Sequence, residues 1–510
     1  MLKGKNTAKA KLTLEPSGTV LEVDIGSSLR DSLREQDLEF PCGGRGTCRG
    51  CLIKVTSGET IVNDAQEAIL DPSEINEGWR LGCQVKITDD LCISWPSWDM
   101  QILSDSNAKT AESQDVGLGV AIDVGTTTIA AQLVERSSLE LLDTAIAPNT
   151  QARFGSDVMS RLDHTLRSEE GSGELASLIR AQTQKLIRSI IPIGRDPDLT
   201  KVILVGNTAM HHFFGNLPAT SLAHFPFTPA SLDPLSMSVA DLGWNLARDA
   251  EISFLPNLGG FVGSDILAGI LATDMHKSIN PVGFIDLGTN CEMVVGNRDG
   301  LLCASAAAGP AFEGARIEMG LSAVSGAISE VYLENAEIKV NVIGGAQPRG
   351  ICGSGLVDAV ALGLNLGIIE EDGRLNPGDK WEFAKPVSLS QRDIREVQLA
   401  KGAISAGFRM LLNEAGFMID ELQAVYLGGA FGNYIHTTEA QRLGLFECSA
   451  DQITPIGNSA LRGAKLALQD HNMGDIQSIK DIISHVELAT LPGFQDNFAD
   501  AMFFKDSARS

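Results

Sequence analysis

Three cysteines stand within the eleven residues 41–51, PCGGRGTCRGC, and a fourth follows in WRLGCQVKI. Cys42, Cys48, Cys51 and Cys83 are separated by five, two and 31 residues, which makes three close ligands and one distant one. Thiolates at this density select a soft, tetrahedrally coordinated metal, so zinc and iron–sulfur are the two candidates. Gly43, Gly44, Gly46 and Gly50 let backbone N–H groups approach inorganic sulfide and let the loop wrap an object larger than one ion. Zinc knuckles come more often as two Cys-x-x-Cys pairs. The arrangement favours iron–sulfur, with a zinc-stabilised loop as the competing reading.

A second pattern occurs twice. GVAIDVGTTTIAAQLV (119–134) is an apolar run that ends at Asp123, turns at Gly125, passes Thr126, Thr127 and Thr128, and resumes as a second apolar run. VGFIDLGTNCEMVVG (282–296) repeats the order 163 positions later with Asp286, Gly288, Thr289 and Asn290. A glycine turn exposes N–H groups to phosphate oxygens, threonine hydroxyls add donors, and a carboxylate at a strand end can hold Mg²⁺ or orient water. One such hairpin is a weak sign, since any hairpin can carry Asp-x-Gly-Thr. Two at domain-scale separation imply two similar halves facing each other across a nucleotide.

KVILVGNTAMHHFF (201–214) and AVYLGGAFGNYI (424–435) each run from a strand through glycine into a helix, placing Gly206, Asn207, Gly428 and Gly429 where bare backbone can approach a nucleotide. RGICGSGLVDAVALGL (349–364), with Gly353, and GNSALRGAKLAL (457–468) complete the order. Asn207 and Asn290 have an alternative role as caps, and Glu313 one as a structural carboxylate. His211 and His212 have no carboxylate or thiol at ligand spacing and read as packing or surface residues. Cys291, Cys303, Cys352 and Cys448 stand singly and read as buried, inert thiols, as does Cys92 in a strand.

The elements that must position these groups fall into three stretches. Around the cysteines, AKLTLEP and TVLEVDI alternate with period two about a PSG turn, SSLRDSLREQ has a serine cap and helical spacing, LIKV reads as a strand, NDAQEAILDPSEI as helical, and GCQVKI and LCISW as late strands,. Residues 97–117 are small and polar, which reads as a tether. The boundaries that follow are 1–96, a linker at 97–117, a first half at 118–280 and a second at 281–510.

Composition excludes several classes. The 510 residues are 44% hydrophobic with 52 glycines, a globular composition,. A formal net charge of −25 repels a phosphate backbone and argues against nucleic acid,. Neither a secretory leader nor an apolar run near 18 residues is present, so no membrane association is expected. Nine unevenly spread cysteines do not form a secreted disulfide framework, and a reducing cytoplasm is expected,.

The cysteine region resembles [2Fe-2S] ferredoxins, closer in its first gap to the adrenodoxin-like and putidaredoxin-like pattern than to the plant one. The later motifs resemble the ASKHA superfamily of acetate and sugar kinases, Hsp70 and actin. Together, PCGGRGTCRGC, AIDVGTTT, GFIDLGTN, GPAFEGA, GICGSGL and YLGGAFGNY resemble, in this order, the reductive activators of corrinoid proteins. The resemblance implies an α+β and α/β multidomain chain: a β-grasp ferredoxin-like domain, then two ribonuclease-H-like halves. It implies a [2Fe-2S] cluster on the four cysteines, ATP with Mg²⁺ served by Asp123 and Asp286, and one-electron reduction of a partner's Co(II) to Co(I). A corrinoid protein, a low-potential electron donor and a homodimer are the implied partners. A small-molecule kinase or a cofactor-loading chaperone ATPase with a redox-sensing domain is the alternative.

Overall fold

The computed structural model describes residues 8–15, 19–33, 46, 51–70, 72–94, 113–155, 157–168, 170–314, 316–432 and 435–504. Cys42, Cys48 and positions 97–112 of the expected linker lie outside them.

Strands β1 (Lys9–Glu15), β2 (Thr19–Asp24), β3 (Leu52–Ser57), β4 (Trp79–Leu81) and β5 (Leu91–Ser94) form the first sheet, in the order β2-β1-β5-β3-β4. Alternation orients β1: Ala10, Leu12 and Leu14 are buried while Lys9 and Lys11 face water,. β1 runs parallel to β5 and the other pairs are antiparallel, the mixed sheet of a β-grasp. The acidic helical stretch is two short helices, Asp64–Glu67 and Pro72–Asn76. Three expectations are corrected. GCQVKI is not a strand: Gly82–Gln84 is a 3-10 turn, and the pairing comes just before it at Trp79–Leu81. A turn lets Cys83 and its own N–H face Cys51 together, where a strand would alternate them. Ser28 makes no side-chain cap, because it bridges to Lys86 ahead of a single helical turn, Leu29–Ser32. Cys92 is in β5 but half-buried, on the face opposite Leu91 and Ile93.

The next sheet holds β6 (Leu118–Val124), β7 (Thr128–Glu135), β8 (Glu140–Pro148), β9 (Leu199–Val205), β10 (Leu235–Met237) and β11 (Glu251–Phe254), in the order β10-β11-β9-β6-β7-β8. The chain then forms β12 (Val282–Leu287), β13 (Cys291–Asn297) and β14 (Gly300–Ala306). An insertion follows, with a small sheet of β15 (Ala327–Glu334), β16 (Glu337–Val342) and β17 (Gly350–Ile351) and a hairpin of β18 (Lys380–Ala384) and β19 (Val387–Ser390). Finally β20 (Val425–Gly428), β21 (Ile453–Gly457) and β22 (Ile483–His485) complete a sheet ordered β21-β20-β12-β13-β14-β22. The two large sheets repeat one plan. A central strand, β6 or β12, carries its own antiparallel meander on one side, and on the other two parallel strands, β9 and β11 or β20 and β21.

Each half has its own core, and a third apolar cluster belongs to both, joining Ile203, Val205 and Ile266 to Phe284, Val294 and Leu461. Its centre is the crossing of helices Ser264–Thr273 and Ser459–Leu466, one from each half. Glycine makes the approach possible: a Cβ at Gly463 would stand 1.9 Å from the Ala268 carbonyl oxygen.

The ferredoxin-like domain is not joined by the tether alone. Arg30 Nη2 donates to the Arg153 carbonyl at 2.6 Å, and the Arg349 guanidinium lies 5.3 Å from the centre of the Trp79 ring. The last residues of the expected linker are held too, with Ser113 N–H on the Ser137 carbonyl at 2.8 Å and Thr200 Oγ1 on the Val116 carbonyl at 3.2 Å.

Gly463→Ala tests the helix crossing. Intrinsic propensity favours alanine in a helix by ~1 kcal/mol, whereas the overlap with Ala268 sets a cost of about 2 kcal/mol or more. Urea unfolding followed by circular dichroism is expected to show a lower midpoint; a raised one contradicts the packing.

Candidate functional site

The C-terminal ends of the parallel strands in each sheet meet in one cleft, where ligands of open α/β sheets bind. Asp123 near the end of β6 stands beside Val205 of β9, with Gly206 next in the chain, and Asp286 of β12 stands beside Gly428 of β20. The two phosphate-loop candidates are therefore placed by equivalent strands.

In the first loop the carbonyls are drawn away from the cleft. The Gly125 carbonyl accepts from Asn149 Nδ2 at 2.9 Å, Thr126 from Arg161 Nη2 at 2.6 Å and Thr127 from the Asn149 N–H at 2.7 Å. A loop tied by its carbonyls presents its amides, the geometry of an anion nest. Gly125 is required there, since a Cβ would lie 2.4 Å from the Thr128 carbonyl. Asn207 does two jobs: its Oδ1 accepts from the Met210 N–H at 3.0 Å, capping helix Thr208–Gly215, and its Nδ2 reaches Thr126 Oγ1 at 2.8 Å. The second loop is tighter. Gly288 N–H is used on the Asn290 carbonyl at 3.1 Å, and Thr289 Oγ1 donates to Glu313 at 2.7 Å, so Glu313 braces that loop.

Gly428 and Gly429 lie against the second carboxylate. A Cβ on Gly428 would approach Asp286 Oδ2 to 2.9 Å, and one on Gly429, where φ is +86°, would meet the Leu287 carbonyl at 2.4 Å,. Gly353 is not brought to this group directly. It opens helix Gly353–Asn365, which packs on β15 and on the 310–313 turn that carries Glu313.

Three residues that sequence reasoning did not single out complete the cleft. Asn458 Nδ2 donates to Asp123 at 3.0 Å while its Oδ1 caps helix Ser459–Leu466 at the Leu461 N–H, 2.7 Å away. Ser459 Oγ donates to Asp286 at 3.2 Å. Asp265, in the first turn of Ser264–Thr273, faces both aspartates. Their signals, GNSALRG and GSDILAG, are visible, but nothing local marks the residues as partners of Asp123 and Asp286.

Burial pushes Asp123 up to about 6, with Asp286 adding repulsion and Asn458 opposing it. Burial likewise pushes Asp286 up to about 6 against the bond from Ser459. Asp265 rises to about 8, first from burial and then from Asp286 and Asp123. Glu292 of β13, bonded by Ser305, is held well above the usual range by burial, Asp265 and Asp286. Among the described residues no cationic side chain acts on Asp123 or Asp286. The donor set fits a hard divalent cation accompanied by phosphate oxygens.

At the other candidate centre, β3 and β4 pair Leu52 with Leu81, which brings the fully buried Cys51 beside the turn that carries Cys83. Cys83 N–H points at Cys51 Sγ at 3.5 Å, and Gln84 Nε2 lies 3.4 Å from Cys83 Sγ. Donors directed at both sulfurs suit thiolate ligands of a cluster. Gly46, at φ +70°, passes so near Gln84 that a Cβ would sit 2.8 Å from its Nε2.

His211 and His212 are buried packing residues. His211 is pushed down to about 4, first by burial and then by His212. Cys291, Cys303, Cys352 and Cys448 are buried. Burial drives Cys291 well up, Cys303 to about 12 and Cys448 to about 11, which leaves these three thiols unreactive,.

Residues 12–88 match the 2Fe-2S iron-sulfur cluster binding domain, 118–278 the RACo middle region, and 281–510 the C-terminal domain of RACo, the ASKHA domain. The corrinoid activation enzyme RamQ of Eubacterium limosum is 34% identical over 423 residues, covering 76% of this chain and 70% of that protein. The chain belongs to the corrinoid activation enzymes. A second relative in the family, the [Co(II) methylated amine-specific corrinoid protein] reductase of Methanosarcina barkeri, is 29% identical over 74% of this chain and 75% of its own. The solved reductive activator for corrinoid,iron-sulfur protein superposes with a TM-score of 0.68 at 25% identity, across 97% of this chain and 98% of that one. Like this family, the chain joins a [2Fe-2S] domain to a nucleotide-binding ASKHA region. Among the described residues no helix is long and apolar enough to cross a membrane.

Two outcomes follow. Cys51→Ser and Cys83→Ser each remove the visible absorption and the iron of the purified protein, and Cys92→Ser leaves both; iron analysis with the optical spectrum checks this. The carboxylates also set a pH dependence. Asp123, Asp286 and Asp265 bind protons more tightly folded than unfolded, so their stabilising contribution is complete below about pH 4 and is lost as pH rises through 6 and 8,. The nucleotide-free protein melts lower at pH 8 than at pH 5.5 in calorimetry, and Asp265→Asn narrows that gap.

Proposed function

We propose that this chain reactivates a corrinoid protein by passing one electron to its Co(II), giving Co(I), in a reaction driven by hydrolysis of ATP to ADP and phosphate. The observation that carries this reading is the likeness to RamQ over 70% of that enzyme, with the ferredoxin-like and ASKHA regions in one chain. The electron enters from an external low-potential donor, the working unit is a homodimer in the cytoplasm, and the functional units are 1–96, the linker, 118–280 and 281–510.

Cys42, Cys48, Cys51 and Cys83 hold the [2Fe-2S] cluster, and Asp123 and Asp286 hold Mg²⁺, which offsets the repulsion among the buried carboxylates. When bound, the cluster supplies a one-electron relay and Mg²⁺ the charge that offsets the phosphates. The Gly125–Thr128 amides and hydroxyls receive phosphate oxygens with Asn207 bracing them, Gly288–Asn290 closes on the opposite side, and Gly428 and Gly429 admit the nucleoside. Gly206 lets the first half's strand end approach, and Gly353 supports the turn of Glu313. Asp265 is placed to orient the attacking water and take its proton. Asn458 and Ser459 read the state of Asp123 and Asp286 from the second half, so occupancy of the cleft changes how the halves meet.

The coupling is large enough to matter. A ligand that distinguishes two states by about 5.5 kcal/mol shifts their ratio ~10⁴-fold, and at about 59 mV per tenfold change for one electron this is roughly 240 mV.

An anaerobic mixture of a cobalamin-bearing partner, a strong reductant, this protein and MgATP is expected to develop the Co(I) absorption, and to stay Co(II) without ATP. Asp123→Asn and Asp286→Asn are each expected to lower ATP hydrolysis by ~10²-fold with the cluster spectrum intact. Reduction at the full rate without ATP, or phosphorylation of a small metabolite in its place, counts against the reading.

A further inference from the structure

Helix Ser459–Leu466 is gripped at both ends. At its start, Asn458 and Ser459 hold Asp123 and Asp286. Just past its end, the Leu468 carbonyl accepts from Arg136 Nε at 3.0 Å and Nη2 at 2.9 Å. Asp470 Oδ1 accepts from Arg136 Nη2 at 3.1 Å and from Lys201 Nζ at 2.6 Å, and Gln469 Nε2 donates to the Arg136 carbonyl at 3.1 Å. The Arg136 and Lys201 side chains are only 9% and 5% exposed, so these are buried cations whose partners cannot be replaced by bulk water,.

Arg136 reaches a third party. Its Nη2 is 3.2 Å from Asp115 Oδ1, its N–H donates to the Gly117 carbonyl at 3.0 Å, and Asp115 Oδ2 accepts from the Asp470 N–H at 3.2 Å. Asp115 and Gly117 lie where the chain arriving from the ferredoxin-like domain enters the middle half. One guanidinium therefore joins the incoming segment, the middle sheet through Thr200 at 3.3 Å, and the end of a helix that starts at the two cleft aspartates.

We propose that Arg136 is a positioning residue that couples the nucleotide cleft to the ferredoxin-like domain, with helix Ser459–Leu466 as the connecting rod and Asp470 and Asp115 as its contacts. This rests on the proposed function. Eight residues of helix span about 12 Å, and close packing against Ser264–Thr273 makes the rod move as a body rather than bend. Displacing Asn458 and Ser459 shifts Leu468 and Asp470 relative to Arg136. Loss of a partner leaves a buried arginine with an uncompensated charge at a large cost, which favours keeping the knot whole or exchanging it for a second arrangement, the behaviour that transmits a signal between sites. The residue that adjusts with it is Asp115, in the segment through which the chain enters the middle half.

The test uses the full-length protein and three variants: Arg136→Gln, Arg136→Lys and Asp470→Asn, the last an isosteric change that keeps an acceptor oxygen but removes the charge facing Arg136 and Lys201. ATP hydrolysis and Co(I) formation are measured together. The expected result is ATP turnover within about twofold of the unaltered protein, with at least tenfold more ATP consumed per Co(I) formed in Arg136→Gln and Asp470→Asn, and partial recovery in Arg136→Lys. A second readout does not involve the corrinoid: the distance by pulsed EPR from the reduced cluster to a spin label on Ile193→Cys, at a fully exposed position. A non-hydrolysable ATP analogue with Mg²⁺ shifts this distance in the unaltered protein and not in Asp470→Asn. If the ATP-to-Co(I) ratio and the distance shift both survive in the variants, or if the unaltered protein shows no shift, the coupling is overturned. If the unaltered protein makes no ATP-dependent Co(I), it is the proposed function that falls, whatever the distances show.

Discussion

Carboxylates buried side by side repel one another and lose hydration together, and the whole second part of this molecule is arranged around that tension. Asp123 and Asp286 are carried by the central strands of two sheets with one plan, and Asp265 enters from the helix that crosses between them. The second half contributes a bond to the first half's carboxylate, from Asn458 to Asp123. On the proposed function, a cation and phosphates entering the cleft would offset that repulsion, and the offset would give the ligand leverage over how the halves meet. A preformed, neutral pocket would bind nucleotide without gaining any such hold.

Packing between the halves is close and sets how any such shift would be transmitted. The crossing helices meet through glycine at Gly463 against the Ala268 carbonyl, and Gly269, one residue on from Ala268, packs on β12, where a Cβ would lie 2.5 Å from the Phe284 ring. So close an approach leaves no layer of mobile side chains between the helices to absorb a shift, and both helices contribute to the shared apolar cluster.

The parts of this design that were legible in the sequence are the local ones. Two Asp-x-Gly-Thr hairpins announce themselves because the turn, the hydroxyls and the carboxylate are all within six residues, and the spacing of Cys51 and Cys83 follows from a strand and its return. GCQVKI misleads because Val85 and Ile87 are buried as strand residues would be, while Cys83 needs a turn to face Cys51. Asp265, Asn458 and Ser459 are hidden for a different reason. Asn458 is 335 residues from the aspartate it bonds, and its own neighbours justify it fully as a helix cap. Arg136 at the end of a hairpin reads as an ordinary exposed charge until Leu468 and Asp470 are folded onto it.

Trp79 sits half-buried between two cations of different origin, Lys54 of its own domain at 5.5 Å and Arg349 of the ASKHA region at 5.3 Å. One of these charges leaves if the ferredoxin-like domain departs, and the other stays. An indole is an intrinsic fluorophore whose excited-state dipole responds to charge at this range; Trp244 and Trp381 are enclosed in cores, and Trp95 and Trp98 lie outside the described residues, so Trp79 is the described indole set at the contact. Trp79 is thus an intrinsic reporter of domain contact that needs no dye, provided the redox state of the nearby cluster is held constant.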